Sequence, residues 1–317
     1  ISHQLASLSE ENEGSVLSAL AAEIERVEEN VKEFIHTLDR IVDQINNLVE
    51  QIDFTPLYDR QRDLFAIGYS KEDEKLTNSY YDLLASEARL ASYLAIARRE
   101  VPQKHWFKLG RSLSLIYGQR ALVSWSGTMF EYLMPPLIMK SYDHTLLDQT
   151  YAAVVTAQKN YGKKRRVPWG TSESGYYAFD LLLNYQYKAF GIPDLGLKRG
   201  LIEDMVVSPY SSLLALPFDP AGAMANIRRL LAEGLEGRYG LYEAVDYTPE
   251  RLPGGVKGKI VKSFMAHHLG MSLVALDNYF HDQIMPSRFH ANPLVKAAEI
   301  LLEERAPEKV IITKERK

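Results

Sequence analysis

YDLLASEARLASYLAIAR, residues 81–98, is rich in Ala and Leu, the residues that lose least on entering a helix. The stretch predicts a helix along its whole length, and several others of its kind point to a mainly α chain. One residue does not suit that helix. Glu87 lies among Leu83, Leu84, Leu90 and Leu94, where a charge is costly unless it faces a polar cavity or a partner. Arg89, two positions on, is too close in sequence to share its face.

Upstream, Leu17, Leu20, Ile24, Val27, Val31, Phe34, Leu38, Ile41, Ile45, Leu48 and Ile52 alternate in steps of three and four. That is a heptad seam held over about five repeats, with charged residues outside it. Such a helix packs on its own domain or makes a coiled-coil contact to a neighbouring domain or chain through residues 17–52; the pattern serves both equally. Pro56 marks its end. Residues 1–52 are therefore expected to form one connecting segment and residues 53–317 a second domain. Within the second, Asp63–Tyr69 alternates like a short strand, and 106–125 predicts a hairpin turning at Gly118. Further helices are expected near 128–141, 145–162, 176–189, 209–217, 220–235, 262–282 and 292–304. Pro135-Pro136, Pro193, Pro209, Pro220 and Pro253-Gly254-Gly255 punctuate them. Helices following one another through short loops favour a bundle or helical ring with small β-hairpins over a parallel sheet.

The bulk properties exclude several function classes. The 317 residues are 46% hydrophobic and 25% charged, an ordinary balance for a folded soluble chain. A net charge of −4 offers no basic field for nucleic acid. Lys163-Lys164-Arg165-Arg166 fits a solvated helix end. Cysteine is absent, which removes disulfides and thiolate metal sites. No apolar run reaches the ~20 residues of a membrane helix, and no signal peptide is visible. A first residue of Ile rather than Met suggests a piece of a longer protein.

The chemistry-bearing stretch is VPWGTSESGYYAFDLLLNYQY, residues 167–187, which sets four tyrosines and a tryptophan around Glu173. Tyrosine has an apolar face and a polar tip, as a sugar ring does. Glu173 is expected to leave a loop at Pro168-Trp169-Gly170 and to open an aromatic helix. Glu131 in GTMFEYLMPPL and Glu243 in GLYEAVDYTP are similarly placed near aromatic residues. Any one of these glutamates could be a buried, paired carboxylate or a helix cap. Four together favour a cleft of aromatics with facing carboxyls, which suits glycosidic chemistry. Weaker signals fall away. Gly191–Gly200 lacks the strand and spacing of a phosphate loop. His267 and His268 diverge by about 100° on a helix and cannot chelate one metal together. Ser172 and Ser174 lack a nucleophile elbow.

The blocks YDLLASEARLASYLAIARREVPQKHWFKLGR, SWSGTMFEYLMP, VPWGTSESGYYAFD, LNYQYKAFGIPDLGLKRGL, GLYEAVDYTPERLP and SFMAHHLGMSLVALDN, in that order, resemble the central glycoamylase-like domain of bacterial cyclic β-1,2-glucan synthases. The resemblance runs from about Ile52 to Glu304. It implies an (α/α)6 toroid, a ring of helix pairs around a central cleft, of which this chain could lack part. It implies a retaining transglycosylase that cuts linear β-1,2-glucan and closes it into a ring. The glutamate of the family's Ala-Ser-Glu-Ala-Arg block falls on Glu87, implied as nucleophile. That of Trp-Gly-x-Ser-Glu-Ser falls on Glu173, implied as acid/base. Where many relatives carry Asn and Arg after that acid, this chain has Tyr177 and Phe179, so local substrate contacts differ. Trp125, Trp169, Tyr176 and Tyr247 are candidates for stacking on glucose. Arg89, Glu131, Asp180, Glu243 and His267 are candidates for bonding hydroxyls or tuning the two carboxyls. The implied partners are β-1,2-glucan and the other domains of a membrane-bound synthase, at the cytoplasmic side of the bacterial inner membrane, with this piece itself soluble. No cofactor or metal is expected. An endo-β-1,2-glucanase and a non-catalytic glucan holder are the alternatives.

Overall fold

A computed structural model describes residues 2–305 and divides the chain into two compact units, Ile1–Asp53 and Phe54–Lys317. Side chains before Ser18, Ser15 excepted, and residues 306–317 lie outside the described ones, and with them the first seam residue, Leu17, and the tail of the expected second domain. Among the described residues no helix is long and apolar enough to cross a membrane.

The first unit is one helix, α1, Ser2–Glu50. Its seam residues from Leu20 to Ile52 are all exposed. Exposed pairs such as Glu28–Lys32, at 2.7 Å, contribute a few tenths of a kcal/mol each.

The second unit is helix-rich with small antiparallel sheets. Its helices are α2 (Arg89–Ala97), α3 (Lys104–Lys108), α4 (Met129–Leu133), α5 (Leu146–Arg165), α6 (Pro209–Leu214), α7 (Pro220–Ala232), α8 (Ala266–Phe280), α9 (Ile284–Phe289) and α10 (Pro293–Ala297). The core collects Tyr93 of α2, Trp106 of α3, Met129 and Tyr132 of α4, and Val154 of α5, all fully buried. Each such side chain contributes ~2 kcal/mol by leaving water. α5 begins at Thr145, whose hydroxyl accepts the Asp148 N–H, and ends at Arg166 in the left-handed conformation. The basic run is thus a helix end, as expected. The hairpin Leu113–Ile116 with Gln119–Leu122 turns through Tyr117 and Gly118, both at positive φ (49° and 79°), a two-residue turn that matches strand twist.

Five expectations need correction. The helix of 81–98 starts only at Arg89. Ser86 intervenes: its hydroxyl accepts the Ala88 N–H at 3.2 Å and its carbonyl accepts the Arg89 N–H at 3.2 Å. A side chain that satisfies local donors competes with the helix. Glu87 therefore sits on a turn rather than in mid-helix. Residues 176–189 are not a helix. Ser174–Phe179 pairs with Tyr185–Lys188 as an antiparallel hairpin. Asp180 makes the turn by accepting the N–H groups of Leu182 and Asn184 at 2.8 and 2.9 Å, and Leu181–Leu183 stand in solvent. Aromatic, alternating residues favour the pleated surface. The helix expected at 128–141 stops at Leu133, with a 3-10 turn at Pro135–Leu137, because proline cannot continue the ladder. That expected at 292–304 is α10 followed by a 3-10 turn, Glu299–Leu302. The hairpin expected at 106–125 is real, but it begins after α3.

Candidate active site

A cleft of about 550 Å³ opens on the second unit and is lined by Glu87, Glu131 and Glu173 together with Tyr80, Tyr81, Trp125 and Lys198. A volume of this order suits a small sugar segment. Glu87 comes from the turn before α2, Glu131 from α4, and Glu173 from the loop ahead of Ser174–Phe179. With Asp82, which also lines it, four carboxylates share one hollow, three of them far apart in the chain.

Glu87, Glu131 and Glu173 are each held differently. The Ser86 hydroxyl donates to Glu87 at 3.2 Å. Glu131 is buried and accepts from the Ser126 and Thr128 N–H groups at 2.8 Å and from the Ser124 hydroxyl at 2.9 Å. With Thr128 it forms the capping box of α4. Burial holds its carboxyl above the usual range despite those bonds, and the charge of Glu87 adds to the effect. Glu173 is pushed up to about 7, chiefly by burial, then by the charges of Glu87 and Glu131, while Lys198 and the Tyr187 hydroxyl pull the other way. Tyr81 is raised by burial and then by Glu87 and Glu173, so it feels both carboxyls.

The loop that carries Glu173 is pinned along its length. Thr171 N–H donates to Gln158 at 2.9 Å. The Ser172 hydroxyl accepts the Phe130 N–H at 3.0 Å and lies 2.7 Å from the Tyr210 hydroxyl. Tyr210 also reaches the Glu173 carbonyl at 3.0 Å. Gly170 has φ 116°, and a Cβ there would lie 2.3 Å from the Ser211 hydroxyl, so only glycine fits. Arg89 ties the other side together. It is buried and donates to the carbonyls of Ser86, Glu131 and Tyr132 at 3.2, 3.3 and 2.7 Å. It thereby links the Glu87 turn to α4.

A family model described as "Glycoamylase: Putative glucoamylase" matches residues 79–293, the span that builds this cleft. The chain belongs to the glycoamylase family. It is 47% identical over 265 residues to the cyclic beta-(1,2)-glucan synthase NdvB of Rhizobium meliloti (strain 1021), covering 84% of this chain and 9% of that protein. This glycoamylase-family chain therefore spans about a tenth of the length of the curated relative it matches. Among solved structures, an endo-beta-1,2-glucanase from Chitinophaga pinensis, in complex with sophorotriose and glucose, shares the fold at TM-score 0.63 and 16% identity, over 84% of this chain and 65% of that one. A "putative glucoamylase" from Bacteroides fragilis NCTC 9343 does so at TM-score 0.62 and 18% identity, over 84% and 64% of the two chains.

Of the residues singled out from the sequence of this glycoamylase-family chain, Glu87, Trp125, Glu131 and Glu173 line the cleft. The others do not. Trp169 is buried beside Asn226, which accepts its N–H at 3.1 Å. Tyr176 packs edge-on against Phe190 and under Arg251. Tyr247 is buried with its hydroxyl on Glu233. Asp180 forms the exposed hairpin turn. Glu243 is buried, accepts the Gly175 N–H at 3.0 Å and faces His268 Nδ1 at 3.0 Å. His267 is largely exposed, and partial desolvation followed by repulsion from His268 lowers its pKa. Sequence reasoning passed over Tyr80, Tyr81 and Lys198. Tyr80 and Tyr81 immediately precede the Glu87 block, and nearness to an acidic block was the available signal. Lys198 carried none. Among the described residues no group of three or more His, Asp or Glu is arranged to hold a metal.

Proposed function

We propose that this chain cuts linear β-1,2-glucan and rejoins the cut end, closing a ring, as one domain of a larger cyclic β-1,2-glucan synthase. The observation that carries this reading is the shared cleft of Glu87 and Glu173, with Glu173 pushed up to about 7. A proton donor must hold its proton near neutral pH while its partner carboxylate stays ionised. In the first displacement the Glu87 carboxylate attacks the anomeric carbon, the glycosidic C–O bond breaks, and Glu173 protonates the leaving oxygen. In the second, ionised Glu173 takes the proton of an acceptor hydroxyl. That oxygen attacks the same carbon and releases Glu87. Two inversions retain configuration, and one glycosidic bond replaces another.

Trp125 at 60% exposure, with Tyr80 and Tyr81, supplies the stacking faces in this scheme. Glu131 and Lys198 supply polar contacts. Arg89 and Glu243 act as positioning groups. The helices of the second unit are taken as part of an (α/α)6 ring. The rest of the proposed synthase, membrane-embedded and anchored at the cytoplasmic side of the inner membrane, would flank this domain. Identity to a synthase over most of this chain supports the assignment.

Incubation with linear β-1,2-glucan tests it. Rings or redistributed chain lengths are expected. New reducing ends alone would make the domain a hydrolase, and unchanged polymer a glucan holder. Glu173→Gln is expected to abolish turnover while the fold persists.

A further inference from the structure

We infer that Tyr210 is a positioning residue that fixes Glu173 against α4 through a one-way chain of hydrogen bonds. The inference rests on the reading of Glu173 as acid/base and extends it to residues outside the cleft lining.

The chain begins at the first turn of α4. The leading N–H groups of a helix have no partner inside it. Here the loop that carries Glu173 takes two of them. Met129 N–H donates to the Thr171 carbonyl at 3.3 Å, and Phe130 N–H donates to the Ser172 hydroxyl oxygen at 3.0 Å. The Ser172 and Tyr210 hydroxyl oxygens lie 2.7 Å apart, and Tyr210 reaches the Glu173 carbonyl at 3.0 Å. A carbonyl only accepts, and a phenol has one proton. Tyr210 therefore donates to Glu173, so Ser172 donates to Tyr210 while it accepts from Phe130. Every donor points the same way, from the α4 backbone to the Glu173 backbone. Bonds in series of this kind strengthen one another. Burial raises the Tyr210 phenol well above its usual range, so the chain does not depend on a titration near neutral pH.

Tyr210 is itself held firmly. It is buried, and its ring stacks on His268 of α8 with centroids 3.8 Å apart and planes 13° apart. Beside it on α6, the Ser211 hydroxyl donates to the Gly170 carbonyl at 2.9 Å. The loop of Glu173 is thus gripped by α4 on one side and α6 on the other. Arg89 ties α4 to the other carboxyl: it donates to the Glu131 and Tyr132 carbonyls and to the Ser86 carbonyl next to Glu87. The five residues of Met129–Leu133 therefore carry a tether to Glu87 and a tether to Glu173. The spacing of such a carboxyl pair selects the course of glycosidic cleavage.

The test is steady-state kinetics on linear β-1,2-glucan with single hydroxyls removed. Tyr210→Phe keeps the stacked ring and deletes the link. A displaced acid lowers kcat by about 10- to 100-fold. KM stays near the parent value, because Tyr210 does not line the cleft. Ser172→Ala should behave alike, and the double variant should lose less than the product of the two single losses, since one chain breaks only once. A freed loop lets Glu173 move toward water and away from Glu87 and Glu131. The alkaline limb of kcat/KM, which falls as the acid ionises, then moves to lower pH. The charged and titratable groups acting on Glu173 are Glu87, Glu131, Lys198, Tyr187, Tyr210 and Tyr81. Tyr247→Phe is the control: it removes another buried phenol hydroxyl, bonded to Glu233 outside the chain, and should leave kcat and the limb unchanged. A parent-like kcat and limb in Tyr210→Phe, or single losses that multiply in the double variant, overturn the inference. Infrared titration of the Glu173 carboxyl stretch, identified by its loss in Glu173→Gln, reads the same shift without turnover, so a slow variant still decides the question. If Glu173→Gln remains active, the acid/base reading fails. If it is inactive and Tyr210→Phe matches the parent, only the tether fails.

Discussion

At Glu173 the environment works against the charge. Burial, Glu87 and Glu131 raise its carboxyl from 4.5 to about 7. The group is neutral in the folded chain below about 7, whereas in the unfolded chain it ionises near 4.5. Relative stability is therefore fully present below pH 4.5 and is lost as pH rises through 7. Glu173→Gln removes that loss. The variant should melt above the parent chain at pH 8, by up to about 2 kcal/mol after allowance for solvent at a half-buried site. The difference should vanish at pH 4, as calorimetry across the range would show. A site that gains stability on losing its acid is one in which function and folding compete.

At the scale of elements, two loops are locked backbone to backbone beside the cleft. Ser124 N–H donates to the Leu195 carbonyl at 3.0 Å, and Leu197 and Lys198 N–H groups donate to Ser124 and Trp125 carbonyls at 3.1 and 2.8 Å. The contact depends on Gly191, where a Cβ would lie 1.7 Å from the Ser126 carbonyl oxygen. No side chain can yield there, so the loops must part. Gly191→Ala should cost ~3 kcal/mol, read by urea denaturation, and should impair catalysis because Trp125 and Lys198 ride on these loops. Gly191 and Gly196 of GIPDLGLKRG thus owe their place to close backbone approach against Ser126, a pairing too distant in sequence to be visible in the string. The hairpin of 174–188 teaches the same lesson. Its apolar residues fit a helix as well as a strand, and the choice falls to partners elsewhere: Glu243 receives the Gly175 N–H and Asp246 the Tyr177 N–H.

At the scale of the molecule, the second unit has its own core and the first is a helix whose apolar seam is open to solvent. A single helix gains most of its stability from packing, and an apolar stripe of this length promotes association. Residues 54–317 alone should keep the parent melting temperature within about 2 °C. The full chain should associate in sedimentation velocity, and removal of α1 should abolish that association.

The sequence alone determined the local facts: α5 through α8, the turn at Gly118, the basic helix end, and the six blocks, two of them carrying Glu87 and Glu173, on which the family resemblance rests. Those features depend on neighbours within a few residues, where propensity and capping act. Only the tertiary structure decided that Glu87 sits on a turn, that the tyrosine-rich stretch is a hairpin, and that Arg89, Trp169 and Tyr247 belong to the framework while Tyr80, Tyr81 and Lys198 face the cleft. Burial and charge–charge repulsion arise between residues far apart in the chain, so the raised carboxyl of Glu173 exists only once folding brings Glu87 and Glu131 beside it.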